Sequence, residues 1–191
     1  MSSAPKIIQK SIPIELRELI DYLEGINERA DLDRLRQLLS ENTATLESLK
    51  DFVEFGDTTY RRNLIAQGPW FELLCICWRS GQRSPIHDHA KSTCGLKILT
   101  GVATETIFDT TDCGQIKAVS STDCGVGTVC ATQDSDIHQV SNLQATGNDL
   151  VTLHIYSPPI GCMDTYSLMG DERAIYVPQN ANVICELGDC I

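Results

Sequence analysis

The chain has 191 residues, of which 42% are hydrophobic and 21% are charged, as in ordinary globular proteins. This length is enough for one well-buried core, so we expect a single domain over residues 1–191. The formal net charge of −11 argues against a nucleic-acid partner, because contact with a phosphate backbone requires clustered lysine and arginine.

The sequence also bears on the compartment of the protein. No run approaches the ~18 apolar residues of a membrane span, and the first ten residues lack the apolar core of a signal peptide. Nine cysteines, an odd number in such a chain, favour reduced thiols over a disulfide framework. We therefore expect a soluble, cytoplasmic protein without a membrane partner, with a monomer as the default.

Residues 11–55 are predicted to be helical. Apolar side chains recur at helical spacing in three successive segments, of which Gly25 closes the first and Asn42 opens the third. Stripes of this kind are packing surfaces, so we expect this region to pack on the outside of the domain that follows. The stripes are Leu16, Leu19, Ile20 and Leu23; Leu32, Leu35, Leu38 and Leu39; and Leu46, Leu49, Phe52 and Val53.

Residues 58–191 are predicted to form a β-barrel. After Gly56 the helical pattern gives way to short β-type runs separated by Gly, Asp, Asn and Pro, which indicates an antiparallel sandwich or jelly roll. The predicted fold class is mainly β, a small jelly-roll barrel with a helical N-terminal segment on its outside. The predicted strands are Leu73–Trp78, Gly95–Leu99, Val102–Phe108, Ile116–Val119, Gly127–Ala131, Ile137–Val140, Leu150–Tyr156 and Ala174–Val177.

His87 and His89 form the first motif that carries chemistry. Side chains at i and i+2 share one face of an extended strand, so both imidazoles can be directed at one point while Asp88 faces away. Neutral imidazole is the commonest metal ligand. A lone His-x-His pair, however, is more often two polar positions on an exposed strand face. The remaining histidines, His138 and His154, each lie in an apolar, β-branched run.

The spacing around these histidines resembles the two-part signature of the cupin superfamily. The first part reads Gly81-x5-His87-x-His89-x4-Cys94-x6-Gly101, and the second reads Gly127-x10-His138-x3-Asn142. Cys94 stands where cupins usually place a glutamate ligand. A small barrel of this type would bring His138 opposite the other two histidines, so that three imidazoles converge near its mouth.

The missing glutamate has a chemical consequence. Three neutral imidazoles leave the full charge on a divalent metal and occupy only one face of its octahedron. The open positions suit a substrate that brings its own anionic ligand together with O2, as in non-haem iron oxygenases. A structural or hydrolytic zinc site remains the alternative.

Four dispersed blocks cover roughly residues 58–165. They are Tyr60-Arg61-Arg62-Asn63-Leu64, His87-Asp88-His89 through Cys94, His138-x3-Asn142, and Leu153-His154-Ile155-Tyr156-Ser157-Pro158-Pro159. In this order the blocks resemble the cysteine dioxygenase family. Family members use Fe(II) and O2 to convert L-cysteine to cysteine sulfinic acid, a step of cysteine catabolism. The resemblance therefore implies an oxidoreductase with a cupin fold, which needs Fe(II).

The resemblance also implies how metal and substrate would be held. His87, His89 and His138 would be the iron ligands, and L-cysteine would join the iron through its thiolate and amine. Arg62, with Tyr60 two residues earlier on the same face, would hold the substrate carboxylate, because the planar guanidinium pairs bidentately with carboxylates.

The remaining matched residues concern the chemistry at sulfur. His154 would form a hydrogen bond with the hydroxyl of Tyr156, which would point towards the sulfur and O2 positions. Cys94 and Tyr156 match the pair that forms a thioether crosslink in some family members, so the crosslink is expected to be possible here. Arg61 and Cys162 have no assigned role.

Two alternatives remain. A dioxygenase acting on 3-mercaptopropionate or another small thiol would resemble this chain, but it would lack counterparts of Arg62 and Cys94. From a different class, a metal-binding cupin could sense a thiol without turnover. The Tyr156–His154 pair argues against a sensor, which has little need of it.

Overall fold

The computed structural model describes residues 10–134, 137–170 and 173–178. In these ranges the chain forms two α-helices, two 3-10 turns and eleven strands. The helices are α1 (Arg17–Gly25) and α2 (Leu32–Glu41), and the 3-10 turns are Ile14–Leu16 and Lys50–Phe52. The strands are β1 (Arg61–Gly68), β2 (Phe71–Trp78), β3 (Ile86–His87), β4 (Thr93–Thr100), β5 (Ala103–Thr110), β6 (Ile116–Cys124), β7 (Val129–Gln133), β8 (Ile137–Ser141), β9 (Leu150–Ser157), β10 (Met163–Tyr166) and β11 (Arg173–Tyr176).

The strands form two sheets that pack face to face. One has the order β1-β2-β9-β4-β7, the other the order β11-β10-β3-β8-β5-β6. Inner side chains of both sheets share one apolar cluster, while the helices pack on the outer face of the five-stranded sheet. The predicted fold class, mainly β with helices on the outside, is confirmed.

The central strands of the five-stranded sheet are buried on both faces. In β9, Leu153 and Ile155 face the helices, whereas His154 and Tyr156 face the space between the sheets. All eight residues of β2 and of β9 are buried. This double burial explains why β2 shows a nearly continuous apolar run instead of strict alternation. The inner face of β9 can therefore carry polar groups that water does not reach.

Helix α2 is attached to the barrel through β4. Lys97 donates hydrogen bonds from Nζ to the carbonyl oxygens of Leu39, at 2.9 Å, and Asn42, at 2.5 Å. The last four carbonyls of a helix lack partners within the helix and favour a nearby positive charge, so Lys97 caps this end of α2. A Cβ at Gly95, on the same face of β4, would lie 2.6 Å from Cδ1 of Leu39. The glycine thus permits the close approach of the helix.

The prediction of a third helical segment is wrong. Residues 42–45 have no regular structure, and residues 46–49 form a turn that leads into the 3-10 turn at Lys50–Phe52. Thr45 and Ser48 exchange hydrogen bonds between side chain and backbone, and the Asn42 side chain accepts a bond from the amide of Ala44. Local bonds of this kind compete with the helical pattern, although apolar side chains still reach the core.

All eight predicted strands are present with shifted ends, but the sequence pattern misses β1 and β10. β1 begins with charged and polar residues at a sheet edge, and β10 has four residues of which one is fully buried. β3 contains only Ile86 and His87, so the strand expected to carry both histidines ends before His89.

The described residues bear on the expected membrane spans and on the cysteines. Within the described ranges no helix has the length and apolar character needed to cross a membrane. The seven cysteines in those ranges are free thiols, whereas Cys185 and Cys190 lie outside them. The single domain over residues 1–191, the cytoplasmic location and the monomer stay predictions.

Replacing Lys97 with Met should destabilise the fold, because the carbonyls at the end of α2 lose their charged donor. We expect the free energy of unfolding, measured in urea, to fall by about 1–3 kcal/mol. The matched control is Lys50→Met, since Lys50 forms only an exposed ion pair with Glu47. Equal unfolding midpoints for the two variants would contradict the capping role.

Candidate metal centre

His87, His89 and His138 converge between the two sheets. Each offers one ring nitrogen, and these nitrogens lie within 4.8 Å of one another. The ring centroids are 5.3, 4.8 and 4.6 Å apart, and all three residues are buried. His87 on β3 is paired directly with His138 on β8, and His89 follows in the loop after β3. The predicted convergence is therefore present, although the second histidine reaches it from a loop and not from a strand.

Two of the rings are held by contacts on their far side. Nδ1 of His87 lies 2.9 Å from the carbonyl oxygen of Pro85, and Nδ1 of His138 lies 2.9 Å from Oε1 of Glu105. Because both partners are acceptors, each ring donates its Nδ1–H and presents Nε2 as the lone-pair donor to the cluster. Glu105 was not predicted from the sequence, since the pairing of β5 with β8 alone brings it to His138.

The donor set fits a divalent metal ion. Among the described residues, the group of ligand atoms around these nitrogens contains no carboxylate or thiolate. Three neutral imidazoles suit iron, zinc and copper alike, so the donors by themselves favour a transition metal without selecting one. An ion held here would keep its full charge and have positions left for further ligands.

Arg62 lies across the same cavity from the histidines. It is buried, its guanidinium is 5.2 Å from the ring centre of Tyr156, and its Nη2 donates to Oε1 of Glu72 at 2.8 Å. Burial opposes the charge of Arg62, but Tyr156 and Glu72 favour it, and the net effect raises its pKa. Tyr60 stacks on Trp78 with ring centroids 4.3 Å apart. The two predicted substrate-binding residues thus reach one cavity.

Glu72 is the second site residue that the sequence analysis missed. It is 3% exposed, and its Oε1 also accepts a hydrogen bond from the amide of Ile160 at 3.3 Å. A buried ion pair is stable only when its geometry and hydrogen bonds are good, and this one restrains the Arg62 guanidinium. The available signal was an acidic residue inside the otherwise apolar run Phe71–Trp78.

His154 and Tyr156 meet on the inner face of β9, as expected. Nδ1 of His154 lies 3.2 Å from the hydroxyl oxygen of Tyr156. Burial, and next the charge of Arg62, hold the pKa of His154 well below its usual value, so the ring is neutral. Burial likewise raises the pKa of Tyr156 well above its usual value and keeps the phenol protonated. The pair therefore offers hydrogen bonds without adding charge to the cavity.

Cys94 on β4 lies next to Tyr156 on the neighbouring strand β9. The two residues are opposite each other in the β4–β9 pairing, and both are buried. Directly opposed side chains on antiparallel strands have Cβ atoms roughly 5 Å apart. The proximity that a crosslink requires is present, while the crosslink itself stays a prediction.

The predicted residues without a role lie apart from this cavity. Arg61 forms an ion pair with Glu54 at 2.7 Å, and Cys162 is exposed. The cavity is lined by Tyr60, Arg62, Ile76, Trp78, Ser84, His87, His138, Val140, His154, Tyr156 and Met163. A wider and more open cleft, lined in part by Leu46 and Asp149, contains no histidine or arginine.

Comparison with known proteins gives one consistent result. The family model described as Cysteine dioxygenase type I matches residues 1–169. Cysteine dioxygenase type 1 of Danio rerio is 32% identical over 161 residues, which cover 81% of this chain and 80% of the relative. Its counterpart of Homo sapiens is 31% identical over 153 residues, 77% of this chain and 76% of the relative.

A solved structure supports the fold alone. An uncharacterised conserved protein with a double-stranded beta-helix domain from Klebsiella pneumoniae aligns with a TM-score of 0.52 at 13% identity. The alignment covers 74% of this chain and 98% of that chain. The likeness agrees with a cupin-type barrel.

Replacing Glu105 with Gln should weaken metal binding at the three histidines, because the ring of His138 loses an anionic acceptor that raises its basicity. We expect the dissociation constant for Fe(II) to rise about tenfold, measured anaerobically against a competing chelator. The control is Glu47→Gln on the exposed surface. An unchanged affinity in the Glu105 variant would show that this hydrogen bond does not support the metal.

Proposed function

Because this chain belongs to the Cysteine dioxygenase type I family of oxidoreductases, we propose that it adds both atoms of O2 to the sulfur of free L-cysteine and releases cysteine sulfinic acid. The observation that carries this proposal is one buried cavity with a three-histidine cluster on one side and a fixed arginine on the other. The metal of the proposal is Fe(II), held by His87, His89 and His138. The substrate joins it through thiolate and amine.

The proposed cofactor supplies the chemistry that side chains lack. When bound, Fe(II) keeps the substrate thiol deprotonated at neutral pH and provides the one-electron reactivity that ground-state O2 requires. The three histidines contribute no charge, so the thiolate of the substrate is the first anion to reach the centre.

Arg62 and Tyr60 hold the far end of the substrate in the proposal. Arg62 binds the carboxylate, and Tyr60 adds a hydroxyl from the same side of the cavity. Because the ion pair with Glu72 already restrains the buried guanidinium, little further ordering of Arg62 is needed when the substrate binds. Fixing the carboxylate, amine and sulfur at once sets the sulfur in a single orientation, which lowers the entropic part of the barrier.

Tyr156 and His154 stabilise the oxygen atom that becomes bound to the substrate sulfur. In the proposal, His154 carries its proton on Nδ1, which lies 3.2 Å from the phenol oxygen of Tyr156 and donates to it. The phenol proton is then directed at the substrate. The protonated phenol then donates a hydrogen bond to the oxygen on sulfur as negative charge develops there. A fixed donor of this kind needs no reorganisation during the reaction.

Oxygen uptake together with product analysis tests the proposed function. Iron-loaded protein supplied with L-cysteine should consume one O2 for each cysteine sulfinic acid formed. His138→Ala, which removes a proposed ligand, should abolish both signals. A thiol-sensing cupin would bind cysteine but consume no O2, and that result from iron-loaded protein would refute the proposal.

A substrate without a carboxylate separates the role of the carboxylate clamp, Arg62 with Tyr60, from the reaction at sulfur. In the double variant Arg62→Gln/Glu72→Gln, which avoids a lone buried charge, we expect kcat/KM for L-cysteine to fall about 100-fold, as two charged hydrogen bonds are lost. The slow turnover of cysteamine, which has no carboxylate, should not change. The single variant Glu72→Gln should raise KM for L-cysteine more than it lowers kcat, because it only loosens the guanidinium. An equal loss on both substrates would contradict the clamp.

The same assay tests the nearest alternative enzyme. A dioxygenase for 3-mercaptopropionate would turn over that thiol, which lacks the amine, at least as fast as L-cysteine. We expect L-cysteine to be the better substrate of the wild-type chain.

The crosslink should appear only after turnover. Peptides containing Cys94 and Tyr156 should then be joined and lighter by two hydrogens, because formation of the thioether removes one from each partner, with O2 as oxidant. Mass mapping before and after incubation with iron, O2 and L-cysteine measures this. Cys94→Ser is the control, and a wild-type protein that never yields the joined peptide would contradict the prediction.

A further inference from the structure

A second group of metal-ligating side chains lies beside the three histidines and has no part in the proposed reaction. Glu105, Cys124 and Cys130 each offer one ligand atom, and these atoms lie within 4.8 Å of one another. They come from β5, β6 and β7, that is, from both sheets. Cys124 is buried, while the other two are half-buried, so the group is enclosed by the barrel but open to an ion from solvent.

Strand pairing directs this group towards the barrel interior. Cys124 is opposite Ala103, and both belong to the apolar cluster between the sheets. Cys130 packs against the same cluster from the facing sheet. Glu105 points inwards beside His138, whose Nδ1 it contacts. Ligands from three strands therefore meet next to the first centre.

The distance between the sulfurs fits a shared ion better than a disulfide. Sγ of Cys124 and Sγ of Cys130 are 4.0 Å apart. Two thiolates on one tetrahedral zinc, with Zn–S near 2.3 Å, lie about 3.8 Å apart. A disulfide would require the same atoms to approach to roughly 2.0 Å.

The charges around the thiols favour a cation. Burial raises the pKa of both thiols, and the side-chain charges acting on them include Glu105 and Asp123, both acidic. In the metal-free protein the thiols thus keep their protons. A divalent ion would replace these protons and offset the charge of the carboxylate.

We propose that Glu105, Cys124 and Cys130 form a second metal site, which binds a thiolate-seeking divalent ion of the zinc class. Binding forms two metal–sulfur bonds and one metal–oxygen bond and releases the two thiol protons to solvent. Thiolates select zinc over magnesium or calcium, which prefer oxygen ligands. A water molecule would be the fourth ligand.

Glu105 connects the two centres. Its carboxylate accepts the Nδ1–H of His138, and a cation on the same carboxylate draws charge away from that hydrogen bond. Two divalent ions in neighbouring sites also repel each other. Zinc at the second site therefore weakens iron binding at the histidines, and iron weakens zinc binding by the same factor. This coupling, unlike the site itself, rests on the proposed iron centre.

Cobalt titration tests the site independently of activity. Reduced, metal-free protein titrated with Co(II) should develop a near-ultraviolet thiolate-to-cobalt absorption band, which three imidazoles cannot produce. Cys124→Ser and Cys130→Ser should each lose the band, whereas Cys113→Ser, at an exposed cysteine, should keep it. A wild-type protein without the band, or a band that survives in both variants, overturns the proposal.

Metal content and iron affinity complete the test. Wild-type protein should retain one more equivalent of zinc than Cys124→Ser, while the variant should keep its cysteine-dependent oxygen uptake in zinc-free buffer. Because zinc would also compete with iron at the histidines, the coupling is measured through the thiolate band, which reports the second site alone. One equivalent of Fe(II) should raise the dissociation constant for Co(II) at this band about tenfold in the wild type and leave it unchanged in His87→Ala, which lacks a ligand of the first centre. Equal zinc content overturns the site, and an equal effect of iron in both proteins overturns the coupling.

Discussion

The pairing of β3 with β8 is the constraint on which the proposed chemistry depends. β3 is two residues long, yet it is held between β8 and β10, and within it His87 is directly opposite His138. Side chains alternate between the faces of a sheet, so a shift of one residue in β8 would turn His138 away from the cavity. One register thus decides whether the imidazoles share a metal.

The burial of β2 and β9 on both faces provides the second requirement, a cavity whose polar groups are shielded from solvent. Helices cover the outer face of β9, and the inner face carries His154 and Tyr156. Every charge placed in such a cavity needs compensation, which Arg62 finds in Glu72. Burial at the same time keeps the phenol protonated and the imidazole neutral. The helical segment, on the outer face of the sheet, therefore contributes to the electrostatics of the site.

The parts of the site that the sequence predicts are those with local spacing or a family match. His87 and His89 are two residues apart, and His154 and Tyr156 share a face of a strand whose alternation is regular. Glu105, in contrast, contacts a histidine 33 residues away, and only the register of β5 with β8 brings them together.

The secondary-structure elements differ in the same way: some are predicted from the local sequence, and others depend on contacts with distant residues. Long strands with apolar inner faces are predicted well, whereas β1 and β10, at or near sheet edges and partly polar, are missed. The third helical segment fails for a different reason. Its apolar spacing is helical, but Thr45 and Ser48 satisfy backbone groups locally, and their hydrogen bonds decide the conformation.

The central claim is that three uncharged nitrogens hold the metal and leave room for the sulfur of an incoming amino acid. X-ray absorption at the iron edge tests it most directly, with less than one equivalent of Fe(II) in anaerobic Cys124→Ser/Cys130→Ser protein, so that only the histidine centre is occupied. The account predicts nitrogen and oxygen neighbours alone in the resting protein, and one added sulfur neighbour when L-cysteine is supplied. A sulfur or protein carboxylate ligand before substrate is added, or no sulfur afterwards, would contradict it.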